Sequence, residues 1–318
     1  EASFDAMTDL GAGLRRELAG HYTLEPDPVI DERRAGGGEA VKLLLGLADG
    51  RSVEAVLIDS GRRRTICVSS QAGCAYGCAF CATAMMGAGR NLTVREIVSQ
   101  VLNVRRIMRR EGMTGGHNMV FMGMGEPLAN LVNLVPALRL LQADEGLAVS
   151  RRRITVSTVG LPGQIRALAE AEVKVRLAFS LNATTDETRD RLMPINRKHP
   201  FREVFEALLD FQKARRMRVT LEYVLLKGIN DGPEDARRLA GFARELRCKV
   251  NLIAYNAHPA APFEPTDEAG IAAFVRRMSP IAPSVTLRYS KGREILAACG
   301  QLSTAWRRND PVAAPQAG

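Results

Sequence analysis

From Thr65 onward, short β-branched and apolar runs alternate with longer stretches of helical periodicity, and this alternation constrains the fold of the 318-residue chain most. Strand-like runs stand at 65–68, 119–121, 154–156, 175–181, 219–226 and 250–254. Strands separated by helices need crossover connections, and these favour parallel pairing. Six such units predict an α/β fold, a partial parallel (β/α)6 barrel. A seventh run at 284–288 leads into a predicted helical turn over 294–299, ended by Gly300. Thr93 with Glu96 is an expected capping box, opening a helix that runs to about Arg110. Upstream, the pattern predicts an amphipathic helical stretch at 4–18, a glycine-rich loop at 35–38, and a hairpin of 41–47 and 53–58 turning at Asp49-Gly50. The expected organisation is a helical and hairpin extension over 1–60, the barrel with its C-terminal segment over 61–302, and a loose Ala/Pro-rich tail over 303–318.

Cys74, Cys78 and Cys81 follow the first of the six strands with the spacing Cys-x3-Cys-x2-Cys. Loops at the C-terminal ends of parallel barrel strands are where such folds place function. Three close thiolates can hold three irons of a [4Fe–4S] cluster and leave the fourth open to a small molecule. Structural zinc sites and closed electron-transfer clusters normally use four protein ligands. The histidine nearest in sequence, His117, lies in no Cys/His spacing. A disulfide framework suits short secreted chains rather than one of this length with six cysteines. The spacing, with the aromatic Phe80 before the last cysteine, resembles that of the radical S-adenosylmethionine (SAM) enzymes. That resemblance implies chelation of the open iron by the amino and carboxylate groups of SAM.

Lys and Arg total 44 against 35 Asp and Glu, a net +9 that favours a polyanionic partner. The excess is clustered at Arg105-Arg106 with Arg109-Arg110, Arg151-Arg152-Arg153, Lys213 with Arg215-Arg216 and Arg218, and Arg307-Arg308. Each cluster equally suits an ordinary solvated face. No apolar run reaches the length of a membrane span. Thiol usage and the lack of an export pattern in these residues lead us to expect the cytoplasm.

Five blocks in order resemble the RlmN-type dual-specificity RNA methyltransferases, the radical SAM adenine-C2 methylases of 23S rRNA and tRNA. They are Cys67-Val68-Ser69-Ser70-Gln71-Ala72-Gly73-Cys74, Gly89-Arg90-Asn91-Leu92-Thr93, Met122-Gly123-Met124-Gly125-Glu126-Pro127-Leu128, Arg191-Leu192-Met193-Pro194-Ile195-Asn196 and Ala297-Ala298-Cys299-Gly300-Gln301-Leu302. The resemblance covers about residues 4–302. It implies methylation of adenosine C2 in the peptidyl-transferase loop of 23S rRNA and in tRNA next to the anticodon. It also implies two SAM per turnover, an electron donor such as flavodoxin or ferredoxin, no membrane and a monomer. Adenine C2 is an electron-poor carbon between two ring nitrogens, so a polar methyl transfer should fail and a radical route avoids the problem. Two rival functions are C8 methylation of adenosine, as in the related resistance-type enzymes, and noncatalytic iron–sulfur RNA binding. Met85-Met86-Gly87 favours the C2 type, because the C8 type usually carries Asp-Ile-Gly there.

By the same resemblance, Cys299 is the methyl carrier through an S-methylcysteine, Cys67 the resolving thiol and Glu54 the base that removes the C2 proton. From the residues alone, Cys67 and Cys299 read as well as small buried side chains, with Ile295 and Cys299 on one helix face. Cys248 matches no role and is read as core. Strand alternation puts Glu54, Val56 and Ile58 on one face of an otherwise apolar run. Among apolar neighbours the carboxyl is expected to titrate high, whereas on an edge strand it would face water. The expected SAM contacts are Gly125, Glu126, Ser157, Ser180, Leu181, Asn182 and Asn256, all at strand ends. Asn182 stands where the family commonly has His, and Arg293-Glu294-Ile295-Leu296 replaces a more acidic pattern before the carrier.

Overall fold

In the computed structural model, residues 3–304 are described, apart from 62 and 260. Three antiparallel strands open the sheet: β1 (Val29–Arg34), β2 (Ala40–Gly46) and β3 (Ser52–Asp59). β3 pairs antiparallel with β4 (Arg64–Cys67). From β4 the ladder is parallel through β7 (His117–Phe121), β8 (Ile154–Thr158), β9 (Arg176–Ser180), β10 (Thr220–Leu225), β11 (Lys249–Ala254) and β12 (Val285–Arg288). The result is one ten-stranded sheet with β1 and β12 at its edges, so the barrel is partial. A separate ribbon of β5 (Gln71–Ala72) and β6 (Arg90–Asn91) brackets the cysteine loop.

Helices fill the crossovers: α2 (Ala82–Met85), α3 (Val94–Arg110), α4 (Leu131–Gln142), α5 (Pro162–Glu170), α6 (Asp186–Leu192), α7 (Phe201–Arg215), α8 (Pro233–Glu245) and α9 (Glu268–Met278), after an N-terminal α1 (Ala12–His21). Parallel strands must be covered on both faces, which is why their sequences read as apolar runs. Met119, Phe121, Ile154, Val156, Leu177, Phe179, Leu221 and Leu252 are buried with Ile97, Val101, Leu138, Ile165 and Leu239 of the helices. The expected capping box at α3 is formed, with reciprocal bonds between Thr93 and Glu96.

Two sequence expectations need correction, and one strand went unforeseen. Strand β1 was not visible in its sequence, Val-Ile-Asp-Glu-Arg-Arg, because an edge strand carrying charges shows little apolar alternation. The 4–18 stretch is a 3-10 turn (Phe4–Ala6) and then α1, and neither buries a residue. The helix expected over 294–299 stops after a 3-10 turn (Arg293–Ile295), because Leu296 takes a left-handed φ of 52°. Ile295 and Cys299 therefore share no helix face. Some members of the basic clusters brace the fold. Arg106 pairs with Glu25 at 2.9 Å and Arg110 with Glu32 at 3.0 Å, while Arg215 donates to the backbone oxygens of Leu168 and Ala171. Arg307-Arg308 and residues 305–318 of the expected tail lie outside the described residues.

The expected boundary near residue 60 falls in the turn between β3 and β4, where the Ser60 N–H donates to the Arg63 oxygen at 3.0 Å. Side chains of β2 and β3 belong to the same core cluster as those of the barrel.

Close backbone approach dictates glycine at position 89. A Cβ there would collide with the carbonyl oxygen of Ala72 and force the β5–β6 ribbon open. Gly241, inside α8, has open space within 4 Å of where a Cβ would stand. We expect Gly89→Ala to destabilise the chain by about 3 kcal/mol, the upper end for overpacking. Gly241→Ala should stabilise it by roughly 1 kcal/mol, the helix-propensity difference. Urea unfolding midpoints of the two variants check both signs.

Candidate active site

The cysteine loop leaves β4 at the C-terminal end of the barrel and is pinned from several sides. The Cys74 N–H donates to Gly87 at 3.0 Å, the Cys81 N–H to Cys78 at 3.1 Å, and the Ala79 N–H to Leu192 at 2.9 Å. The Ala82 N–H reaches Gly300 at 2.8 Å, so this loop and the segment carrying Cys299 are tied directly. His258 Nε2 lies 3.1 Å from the Phe80 oxygen, between the second and third cysteines.

One cavity gathers Cys74, Cys78 and Cys81, with Gly125, Glu126, Ser157, Ser180, Asn182, Asn256 and Cys299. These residues come from the ends of β4, β7, β8, β9 and β11 and from the C-terminal segment. Leu181 is not in the wall: its side chain is in the core, and its N–H and C=O are bound to the Glu222 oxygen and Arg189 Nε. Cys67 and Glu54 also lie outside the wall.

Burial dominates the chemistry of the cavity. It pushes the Cys74 thiol up to about 11 and the Cys78 thiol well above its ordinary value. The charges of Cys74, Cys78 and Cys81 act on one another, so the three sulfurs are neighbours. Three neighbouring thiols fit an iron–sulfur cluster, in which each thiolate holds its own iron, whereas structural zinc normally takes four protein ligands.

Gly125 has φ 93°, and a Cβ there would strike Gln71, so only glycine allows this strand end to approach the loop so closely. Burial raises the Glu126 carboxyl to about 7, against N–H donors from Val159 at 2.9 Å and Leu128 at 3.1 Å. Asn182 has φ 55°, a left-handed conformation that asparagine and histidine both tolerate. Its Oδ1 accepts the Val224 N–H at 2.9 Å. The Ser157 hydroxyl donates to the Phe121 oxygen at 2.8 Å.

Three residues lining the cavity keep a buried polar atom without a hydrogen-bond partner: Glu222 Oε2, Tyr255 Oη and Asn256 Oδ1. Buried polar groups are normally satisfied, so this wall suits a polar ligand such as SAM.

Asn256 Nδ2 donates to the Cys299 oxygen at 3.2 Å and to Ser290 Oγ at 2.9 Å, which fixes the turn carrying that thiol. Burial raises the Cys299 thiol, with opposing influences from Arg288 and Glu222. The Cys67 thiol is pushed up to about 12, first by burial and then by the nearby Cys299. All six cysteines are free thiols, so the two are not joined as a disulfide. Cys248 is 1% exposed and sits in the core.

Glu54 is fully buried on β3, which lies between β2 and β4 and is not an edge. Its surroundings are not solely apolar: Lys42 Nζ lies 3.0 Å from Oε1, and the Ser303 N–H donates to Oε2 at 2.9 Å.

Sequence reasoning missed Lys42, Glu222 and Arg189. Lys42 and Glu222 each interrupt an apolar strand run, a signal that could have found them. Buried Arg189 ties Leu181, Ser180 and Val159 oxygens and Asn196 together behind the cavity, and nothing in its helical context announces it.

Residues 68–240 match the Radical SAM superfamily model. The chain is 46% identical to the dual-specificity RNA methyltransferase RlmN of Pelobacter propionicus, across 94% of this chain and 84% of that relative. It is 45% identical to the RlmN protein of Anaeromyxobacter sp., across 98% and 83%. A radical SAM methyltransferase from Sphaerobacter thermophilus superposes with a TM-score of 0.90 at 43% identity, across 95% of this chain and 88% of that one.

The Glu126 carboxyl titrates higher in the folded chain than in the unfolded one. As pH rises from about 4.5 to 7 the unfolded chain sheds this proton first, so folding without bound metal or SAM loses stability over that window. Glu126→Gln should flatten the slope, removing a penalty of up to about 3 kcal/mol at pH 7.5 relative to pH 4.5. Urea unfolding at several pH values reads the difference.

Proposed function

The chain belongs to the RlmN family of dual-specificity RNA methyltransferases within the radical SAM superfamily, and on that premise we propose that it methylates C2 of adenosine in 23S rRNA and in tRNA. The proposed sites are the peptidyl-transferase loop and the position next to the anticodon. The setting is the cytoplasm, the enzyme a monomer, and the reductant a flavodoxin- or ferredoxin-type donor. Among the described residues, no helix is long and apolar enough to cross a membrane.

The observation that carries the mechanism is the nearness of two thiols to each other and to the cluster cysteines. Cys299 feels the charge of Cys81, and Cys67 feels that of Cys299. When bound, the [4Fe–4S] cluster and two SAM molecules per turnover supply a methyl group and, on one-electron reduction, a 5′-deoxyadenosyl radical. Cys74, Cys78 and Cys81 hold the irons. Gly125, Glu126, Ser157, Ser180, Asn182 and Asn256 orient SAM, and Leu181 supports the strand end without a cavity contact. Cys299 accepts the methyl on its sulfur; once that methyl has given one hydrogen atom to the 5′-deoxyadenosyl radical, its carbon bonds to adenine C2, and the electron added on reduction is given back. Glu54 takes the C2 proton. Cys67, having lost its proton, then attacks the Cys299 sulfur; a sulfur–sulfur bond forms as the sulfur–carbon bond breaks, the carbon keeps that electron pair and takes up a proton, and methylated RNA leaves.

Cys299→Ala should abolish methylation, because the carrier is gone. Cys67→Ala should accumulate a protein–RNA crosslink, and free methylated RNA from that variant would refute the resolving role. Mass spectrometry of digested RNA should find 2-methyladenosine; finding only 8-methyladenosine would overturn the C2 assignment.

A further inference from the structure

We propose that Lys42 is a positioning residue for the proton-removal step, holding Glu54 as an oriented carboxylate and coupling it to the segment that carries Cys299. The inference rests on the reading of Glu54 as the base. Lys42 and Glu54 are diagonal neighbours across the β2–β3 ladder, where Lys42 pairs with Val56 and Glu54 with Leu44, and the side chains of both are wholly buried. Lys42 Nζ is 3.0 Å from Glu54 Oε1 and donates to the Leu296 oxygen at 3.0 Å. The other carboxylate oxygen accepts the Ser303 N–H at 2.9 Å. One ion pair thus grips the 296–303 segment at both ends, with Cys299 between the grips.

The backbone around the carboxylate is held as well. Ser69 Oγ donates to the Glu54 carbonyl oxygen at 2.6 Å, and the Glu54 N–H reaches Met124 Sδ at 3.4 Å. Ser69 and Met124 lie in the loops that follow β4 and β7. The carboxylate is therefore referenced to the cysteine loop, the SAM-side loop and the carrier segment together.

A lone carboxylate buried this deeply would take up a proton rather than remain charged. An ammonium beside it keeps the charged form, and a base must be in that form to act. In the step concerned, the C2 proton moves to a Glu54 oxygen while the electron pair of the C2–H bond stays on the adenine ring. Lys42 keeps its own proton throughout. Burial pulls the Lys42 ammonium below its ordinary value, and Glu54 opposes that pull, so each charge depends on the other.

The experiment uses the reconstituted holoenzyme with substrate RNA and compares Lys42→Met, Lys42→Arg and Glu54→Gln. It reads methyl loading on Cys299, crosslinked RNA and free methylated RNA. In Lys42→Met, loading should stay within about twofold while release of product falls at least tenfold and crosslink builds up although Cys67 is intact. Lys42→Arg, which keeps the charge, should recover release to within about threefold. If Lys42→Met loses loading in the same proportion as release, or fails to fold, the lysine serves only architecture and the proposal is overturned. Normal release from Lys42→Met, with Glu54→Gln still trapping the crosslink, overturns the proposal alone. Normal release from Glu54→Gln overturns the reading of the base beneath it.

Discussion

The wholly buried pair of Lys42 and Glu54 is the interaction on which the arrangement of this site depends. Taking two charges out of water costs several kcal/mol each, and that cost is met only when the pair is close and its remaining lone pairs and protons are bonded. Both conditions hold here, because the spare hydrogen-bonding capacity goes to the backbone of residues 296 and 303. The antiparallel hairpin therefore does more than extend the sheet. It supplies a buried ion pair whose bonds to residues 296 and 303 set Glu54 beside the segment carrying Cys299, a segment that Ala82 and Asn256 also hold. Leu296, whose left-handed backbone ends the final 3-10 turn, is the residue whose oxygen Lys42 holds.

The cavity beside this anchor is electrostatically unfinished. Burial drives Cys74, Cys78, Cys67, Cys299, Glu126 and Glu222 toward their protonated, neutral forms. Thiols bind metal only as thiolates, so loading iron must expel protons and brings compensating positive charge. The cationic groups of SAM would act in the same direction on Glu126. A pocket that holds neutral acids when empty and anions when filled couples occupancy to the ionisation of its walls. Arg189, buried behind Cys78, is a fixed cation that this chain places against the cysteine loop, and it also ties the ends of β8 and β9 there.

Much of this was legible in the sequence because its physical cause is local. The strand–helix alternation gave the parallel ladder, since a crossover length and an apolar run are sequence properties. The Thr93–Glu96 box marked the start of α3 for the same reason. The three-cysteine spacing and the glycine before Glu126 pointed to one end of the barrel, where the cavity lies. What was not legible depends on partners distant in sequence. β1 is a strand because β2 offers it an edge, and its Glu32 and Arg34 pair with Arg110 and Glu111 at the end of α3. Lys42 reads as a misfit in an apolar run until Glu54 is seen 3.0 Å from it on the neighbouring strand. Arg106, Arg110 and Arg215 read as members of basic clusters until their acidic and carbonyl partners are in place.

The central claim is that the transferred carbon passes through the sulfur of Cys299 and loses a hydrogen on the way. Turnover with SAM bearing a trideuterated methyl group tests this most directly. The account predicts peptide mass spectrometry showing the intact trideuteromethyl group on Cys299, and RNA product whose new methyl group retains only two deuterium atoms. A trideuterated methyl group in the RNA, with Cys299 never labelled, would contradict it.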